Sequence, residues 1–242
     1  MAPGRGSGAW CGRTGKRRVR GVGMDAAELA RMYRETRERL TALVAGLGEA
    51  ELGTPVPACP GWAVADVIGH LAAIPEDALA GRLTGPPSEE ETAAQVDRFR
   101  GRPMAQTLAG WTELGPRFEE VVAAFKVWPA VIDVASHEQD IRGAVGQPGA
   151  RDTEVIRQMS GWLIARLRPP VRLRVTVEDA QIQVGPDGES ALGLTTTRYE
   201  AFRWRMGRRS RGQLAALDWS GDPAPVLDHL VVFGPARADI IE

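Results

Sequence analysis

The sequence predicts a mainly α-helical bundle followed by a small α+β unit, and three observations carry that expectation. From Met24 to about Leu167, apolar residues recur at three- and four-residue spacing in successive stretches. At Pro169-Pro170 this period stops. Beyond it, Val171-Arg172-Leu173-Arg174-Val175-Thr176-Val177 alternates apolar and polar, the pattern of a half-buried strand. The expected division is residues 1–23 as a basic leader or upstream extension, 24–168 as the helical bundle and 171–242 as the α+β unit.

In the first helical stretch Leu29, Met32, Tyr33, Thr36, Leu40, Leu43, Val44 and Leu47 share one face, and Gly48 stops it. Thr54-Pro55-Val56-Pro57-Ala58-Cys59-Pro60-Gly61-Trp62 excludes helix or central strand, because three prolines remove three backbone donors. A second helix carries Val64, Val67, Ile68, Leu71 and Ala72 on its apolar side, has His70 inside it, and is expected to end near Pro75. Ser88 before Glu89-Glu90-Glu91 has the form of an N-cap with an acidic first turn. Helical pattern continues over about 89–98 and 104–125, then from Pro129 to Gly143–Gly146, then over 152–167. In the C-terminal part Ile182 and Val184 suggest a second strand, and Gly185-Pro186-Asp187-Gly188 a turn. Residues 197–206 and a short stretch near 225–232 read as helical.

The bulk composition excludes several function classes. Thirty basic against 31 acidic side chains give a net charge of −1, so no global field favours nucleic acid or an anionic membrane. No apolar run approaches the roughly 20 residues needed to span a bilayer. Two cysteines, Cys11 and Cys59, make no CxxC pair and no disulfide framework; their use fits a reducing cytoplasm. The leader, with Lys16-Arg17-Arg18 and Arg20, lacks the apolar stretch of a secretory signal. It reads as a disordered tail or as sequence upstream of a start at Met24, with a nucleic-acid-binding arm as the minor alternative.

Only three histidines occur, His70, His137 and His229. Asp133 and His137 are four apart and share a helix face, so both can converge on one ion. Asp140 lies on that face too, where it can accept a hydrogen bond from the free ring N–H of His137. A site for zinc or a similar ion commonly takes three protein ligands and keeps an open position, and His70 on another helix supplies the third. The bland reading of the same spacing is a solvated i,i+4 ion pair with a separately packed His70. Cys59 and Trp62 read as packing within the proline-rich turn, and His229 as a surface or cap residue. Arg203, Arg205, Arg208, Arg209 and Arg211 form a basic run.

The run Val56-Pro57-Ala58-Cys59-Pro60-Gly61-Trp62, continuing through a helix to Gly69-His70-Leu71, resembles the signature of the mycothiol-dependent maleylpyruvate isomerase family. His137-Glu138-Gln139-Asp140-Ile141-Arg142 resembles its second signature. Gly207-Arg208-Arg209-Ser210 and Trp219-Ser220-Gly221-Asp222-Pro223 resemble its C-terminal part. The resemblance runs from about Met24 to the C-terminus and implies a DinB-like up-down helical bundle, then a small sterol-carrier-like α+β domain.

It also implies a divalent metal, zinc first, on His70, Asp133 and His137, with mycothiol, the actinobacterial low-molecular-weight thiol, as cofactor or co-substrate. Asp140 and Arg142 are then expected to serve the chemistry beside the ion, and Arg208 and Arg209 to meet an anionic thiol or carboxylate. The family pattern has Glu where this chain has Asp133, and the shorter side chain retracts the carboxylate or interposes a water. The implied activity is isomerisation of a maleylpyruvate-like acid, or transfer of the thiol to an electrophile, in the cytoplasm, by a monomer or homodimer with no nucleic-acid or membrane partner. A non-catalytic metal-binding or regulatory bundle is the alternative.

Overall fold

The computed structural model describes residues 25–189 and 191–242, so the leader expected at 1–23, with Cys11, lies outside the described residues. The chain enters α1 (Ala26–Ala45) from Asp25, whose carboxylate accepts from the Glu28 amide at 3.3 Å. A single turn, α2 (Glu49–Leu52), precedes the proline-rich passage. That passage folds back on itself: the Val56 amide donates to the Trp62 carbonyl at 2.9 Å and the Val64 amide to the Thr54 carbonyl at 3.0 Å. Gly61, at φ +86°, makes the reversal.

The chain thereby enters α3 (Val64–Leu79) with His70 in its second turn. This helix does not end at Pro75 as expected but continues through it to Leu79. An interior proline costs about 3 kcal/mol through its missing donor and its ring. Here Ile74, Pro75 and Asp77 are all buried, and their packing offsets that cost. After α4 (Glu89–Phe99), capped by Ser88 as expected, come α5 (Met104–Phe125), α6 (Trp128–Ala144) and α7 (Glu154–Ile164).

Helices α1, α5, α3 and α6 form a closed ring in which each touches the next, and α4 lies against α3. Leu40, Val67, Ile68, Val122, Val131 and Val134 fill the interior with no exposed surface. Each such side chain is worth roughly 1.5–3 kcal/mol of burial. Tyr33 and Trp111 cross the same core, the indole N–H donating to the phenol oxygen at 3.0 Å. Helix α6 is the exception to amphipathic design. Val134 through Ile141 are all buried, so His137, Glu138, Gln139 and Asp140 take partners inside the protein, while the Ser136 hydroxyl is left without one.

The remaining elements are β1 (Leu173–Val177), β2 (Ala180–Val184), β3 (Leu192–Thr195), α8 (Arg198–Arg205), α9 (Arg211–Ala215) and β4 (Asp218–Trp219). The sheet order is β2-β1-β3-β4; β1 pairs antiparallel with β2 and parallel with β3, and β4 runs antiparallel to β3. Sequence reading found β1 and β2 only. The other two strands are four and two residues long, and Gly193 interrupts the alternation of β3. The helix expected near 225–232 is reduced to one 3₁₀ turn at Leu227–His229, where His229 is exposed as expected.

The sheet has its own core, Leu173, Val175, Leu192, Leu194, Trp204 and Leu214 among its members. Helix α8 stands between the two cores: Phe202 and Met206 pack into the bundle, Ala201 and Trp204 into the sheet side. Arg203 is thereby driven into the seam. No helix among the described residues is long and apolar enough to cross a membrane.

Candidate metal centre

Helices α3 and α6 bring His70, Asp133 and His137 together, with one possible ligand atom of each within 4.8 Å of the others. His70 Nε2 lies 3.3 Å from Asp133 Oδ2, and His137 Nε2 lies 3.5 Å from Asp133 Oδ1. The two imidazoles stand edge to face with centroids 5.6 Å apart. Both are buried, whereas the Asp133 side chain keeps a solvent-facing side at 36% exposure. Trp62 covers the cluster from the turn, its ring 5.5 Å from that of His70.

The second nitrogen of each histidine is held by an acceptor. His137 Nδ1 lies 3.0 Å from Asp140 Oδ2. A carboxylate only accepts, so Nδ1 carries a proton, and Nε2, on the Asp133 side, is the atom that can give a lone pair to an ion. His70 Nδ1 lies 2.9 Å from Gln95 Oε1, which gives the same tautomer. Burial pulls His70 toward the neutral form, but its hydrogen bond and charge contact with Asp133, and the bond to Gln95, together raise its pKa. Burial pushes Asp133 up, and the histidines and Arg208 outweigh it, so the carboxyl stays below its usual range.

Asp140 is the most heavily partnered of these groups. Arg203 donates to Oδ1 at 2.7 Å and Arg208 to Oδ2 at 2.8 Å. Burial alone would raise its pKa; the charges of Arg208 and Arg203 and the bond from His137 hold it well below the carboxylate range. Arg203 also donates to the Ser136 carbonyl at 3.1 Å and pairs with Glu242. Among the expected site residues Arg208 therefore reaches the centre through Asp140. Arg209 instead pairs with Glu200, at 2.6 Å, and with Glu242. Arg142 does not join the ligands: its guanidinium meets Glu138 at 3.2 Å and the Gln147 carbonyl, as a charge partner, because it leaves α6 on the side facing α1, where Arg39 shares Glu138.

One participant, Gln95, went unread in the sequence, and two others, Arg203 and Cys59, enter it only as a member of a basic run and as a packing residue. Gln95 and Arg203 stand on other helices, and nothing in their local pattern sets them apart. Cys59 was read as packing with no histidine near it. The fold brings its Sγ to 3.7 Å from His137 Nδ1 and 3.8 Å from Asp140 Oδ2. Burial first, then the Asp140 charge, push this thiol up to about 12, so it stays protonated.

The donor set suits a divalent ion. A tetrahedral ion with ligand bonds of about 2.0–2.1 Å spaces its donors about 3.3–3.4 Å apart, close to the separations recorded between the imidazole nitrogens and the Asp133 oxygens. Two imidazoles and one carboxylate are the donors of many zinc sites. The shorter side chain of Asp133 still spans the gap between the histidines.

A family model described as the mycothiol maleylpyruvate isomerase N-terminal domain matches residues 33–158, just over half of the chain. The chain belongs to this family. The match contains His70, Asp133, His137, Asp140 and Gln95, whereas Arg203 and Arg208 lie beyond it. No curated protein matches the sequence. Among solved structures, a crystal structure of a histidine-to-alanine mutant of the mycothiol-dependent maleylpyruvate isomerase aligns at a TM-score of 0.50 and 13% identity, covering 76% of this chain and 90% of that one. A second structure of that isomerase aligns over the same shares at 16% identity and a TM-score of 0.47. At 13% identity the first of these likenesses speaks to fold alone.

Proposed function

We propose that this family member is a metal-dependent enzyme that uses a low-molecular-weight thiol, mycothiol in the bacteria that make it, to isomerise a maleylpyruvate-like acid or to add the thiol to an electrophile. The observation that carries the proposal is the convergence of His70 Nε2, His137 Nε2 and the Asp133 carboxylate, with both Nδ1 atoms already bonded elsewhere. A divalent ion held there, zinc by preference, would lower the pKa of a thiol and keep it as a thiolate beside its substrate.

The chain's own groups divide the remaining work. Asp140 fixes the orientation and tautomer of His137, and the two arginines keep that carboxylate ionised. Arg208 keeps 15% of its side chain exposed, whereas Arg203 keeps none, so Arg208 is the cation placed to meet an anionic ligand. Cys59, buried and beside the Asp140 carboxylate, has its thiol pushed up and is poorly set as a nucleophile. Partly exposed Asp133 marks the side from which ligands enter.

Metal content by mass spectrometry tests the proposal, on chain purified without chelator beside His137→Ala. Near-stoichiometric metal, lost in the variant and accompanied by thiol-dependent turnover of maleylpyruvate or a model electrophile, is the expected result. Full metal in the variant would overturn the ligand assignment. Metal without any thiol-dependent turnover would favour the non-catalytic reading.

A further inference from the structure

Beyond the three ligands, a second buried chain of polar groups ends on the centre through His70, as Asp140 does through His137. It starts at Asp77, two residues past Pro75 in α3, with 4% of the residue exposed. Arg82 donates to Asp77 Oδ1 at 2.7 Å and Arg98 donates to the same oxygen at 2.8 Å. The other oxygen, Oδ2, accepts from Gln95 Nε2 at 2.8 Å. Gln95, 1% exposed, then turns its Oε1 to His70 Nδ1 at 2.9 Å.

Each link in this chain has one permitted direction. Guanidinium groups only donate, and a carboxylate only accepts. Asp77 therefore compels Gln95 to present its NH₂ to Asp77 and its carbonyl oxygen to His70. A carbonyl can only accept, so the His70 proton must sit on Nδ1. We propose that Asp77 and Gln95 are the positioning residues that hold a proton on His70 Nδ1 and so leave Nε2, on the Asp133 side, as the atom that can give a lone pair to an ion. This inference rests on the metal reading above for its purpose; without an ion the Asp133 carboxylate competes as an acceptor at Nε2, 3.3 Å away, and the shorter 2.9 Å bond to Gln95 must hold the proton on Nδ1 against it.

The polarity of the chain makes a sharp test, because it can be reversed at almost constant volume. In Asp77→Asn the two arginines still only donate, so they draw the Asn oxygen toward themselves and leave its NH₂ facing Gln95. Gln95 must then turn over, placing its own NH₂ against His70 Nδ1. His70 becomes an acceptor at Nδ1 and carries its proton on Nε2, which blocks the lone pair. Adding Gln95→Glu restores the original sense, since a carboxylate at 95 accepts from both neighbours.

The experiment uses the full chain as wild type, Asp77→Asn and Asp77→Asn/Gln95→Glu, each checked for folding by circular dichroism. Nitrogen-15 shifts of the His70 ring, read on the chelator-treated chain at alkaline pH, give the tautomer; competition with a chromophoric chelator gives zinc affinity. Expected are the Nδ1–H form in the wild type, the Nε2–H form with about 10–100-fold weaker zinc binding in Asp77→Asn, and recovery of both in the double variant. A purely structural role for Asp77 would give additive damage without recovery. An unchanged tautomer in folded Asp77→Asn, or a folded double variant that fails to recover it, overturns the inference. A wild type that shows the Nδ1–H form but binds no zinc defeats the metal reading and leaves the tautomer assignment standing.

Discussion

Arg203 and Asp140 form an ion pair at 2.7 Å across the seam between the two cores, and neither side chain has any exposed surface. Two charges withdrawn from water repay their desolvation only when their geometry and remaining hydrogen bonds are complete. Both conditions hold here, since Arg203 also reaches the Ser136 carbonyl and Glu242, and Asp140 also takes Arg208 and His137.

Removing Arg203 takes one buried cation from both Glu242 and Asp140, leaving Glu242 with Tyr199 and Arg209 and Asp140 with Arg208 and His137. Arg203→Met is expected to destabilise the chain by about 3–5 kcal/mol, the usual cost of breaking a buried pair from one side. Urea unfolding measures it, and a midpoint unchanged from wild type would count against the seam as a stabilising contact.

Acid sensitivity follows from Asp140. An unfolded aspartate titrates near 3.9, whereas in the fold the Arg208 and Arg203 charges hold this one well below, against burial. A depressed folded pKa contributes stability that is present above the unfolded value and is lost as pH falls through the folded one. Melting temperature of the chelator-treated chain is therefore expected to fall steadily below about pH 4. Asp140→Asn should melt lower at neutral pH and show a flatter acid limb.

Cys59 is expected to be slow toward alkylating reagents. With its thiol pushed up to about 12, only about one molecule in ten thousand carries the thiolate at about pH 8, against roughly a quarter for an ordinary cysteine. Iodoacetamide labelling followed by peptide mapping should show the Cys59 peptide reacting roughly a thousandfold slower in the native chain than in urea. Equal rates would mean that the thiol is neither buried nor held beside Asp140.

Gly69 exists for contact with α4. A Cβ there would stand 2.8 Å from Phe99 Cβ, closer than packed carbons approach. Gly69→Ala is expected to cost about 1–3 kcal/mol as overpacking and to push α4 outward, taking Gln95 away from His70. Thermal unfolding and zinc affinity should both fall, and a neutral substitution would show that α4 is free to shift.

The helical pattern of the bundle was legible because its apolar residues keep the helical period, and the β1 alternation marked where that period stops. His70 and the Asp133–His137 spacing were legible because histidine is scarce and a four-residue interval has a defined geometry on a helix. What escaped was set by tertiary contact. Pro75 signalled an end to α3, but burial of its neighbours carried the helix one turn on and delivered Asp77. Arg142 lies next to the second signature, yet its direction around α6 sends it to Glu138. Arg203 sat within a run of arginines that reads as a solvated face, and only the position of α8 between two cores buries it.

Helix α6 has no solvent side between Val134 and Ile141. An ordinary amphipathic helix offers half its positions to drift, since outward side chains exchange freely for one another. This segment offers none. Apolar replacements at Glu138 or Asp140 strand an arginine, and polar replacements at Val134 or Ile141 place an unmatched group in the interior. Random substitution should therefore be tolerated less here than in any amphipathic helix of the chain, at the polar positions as much as at the apolar ones.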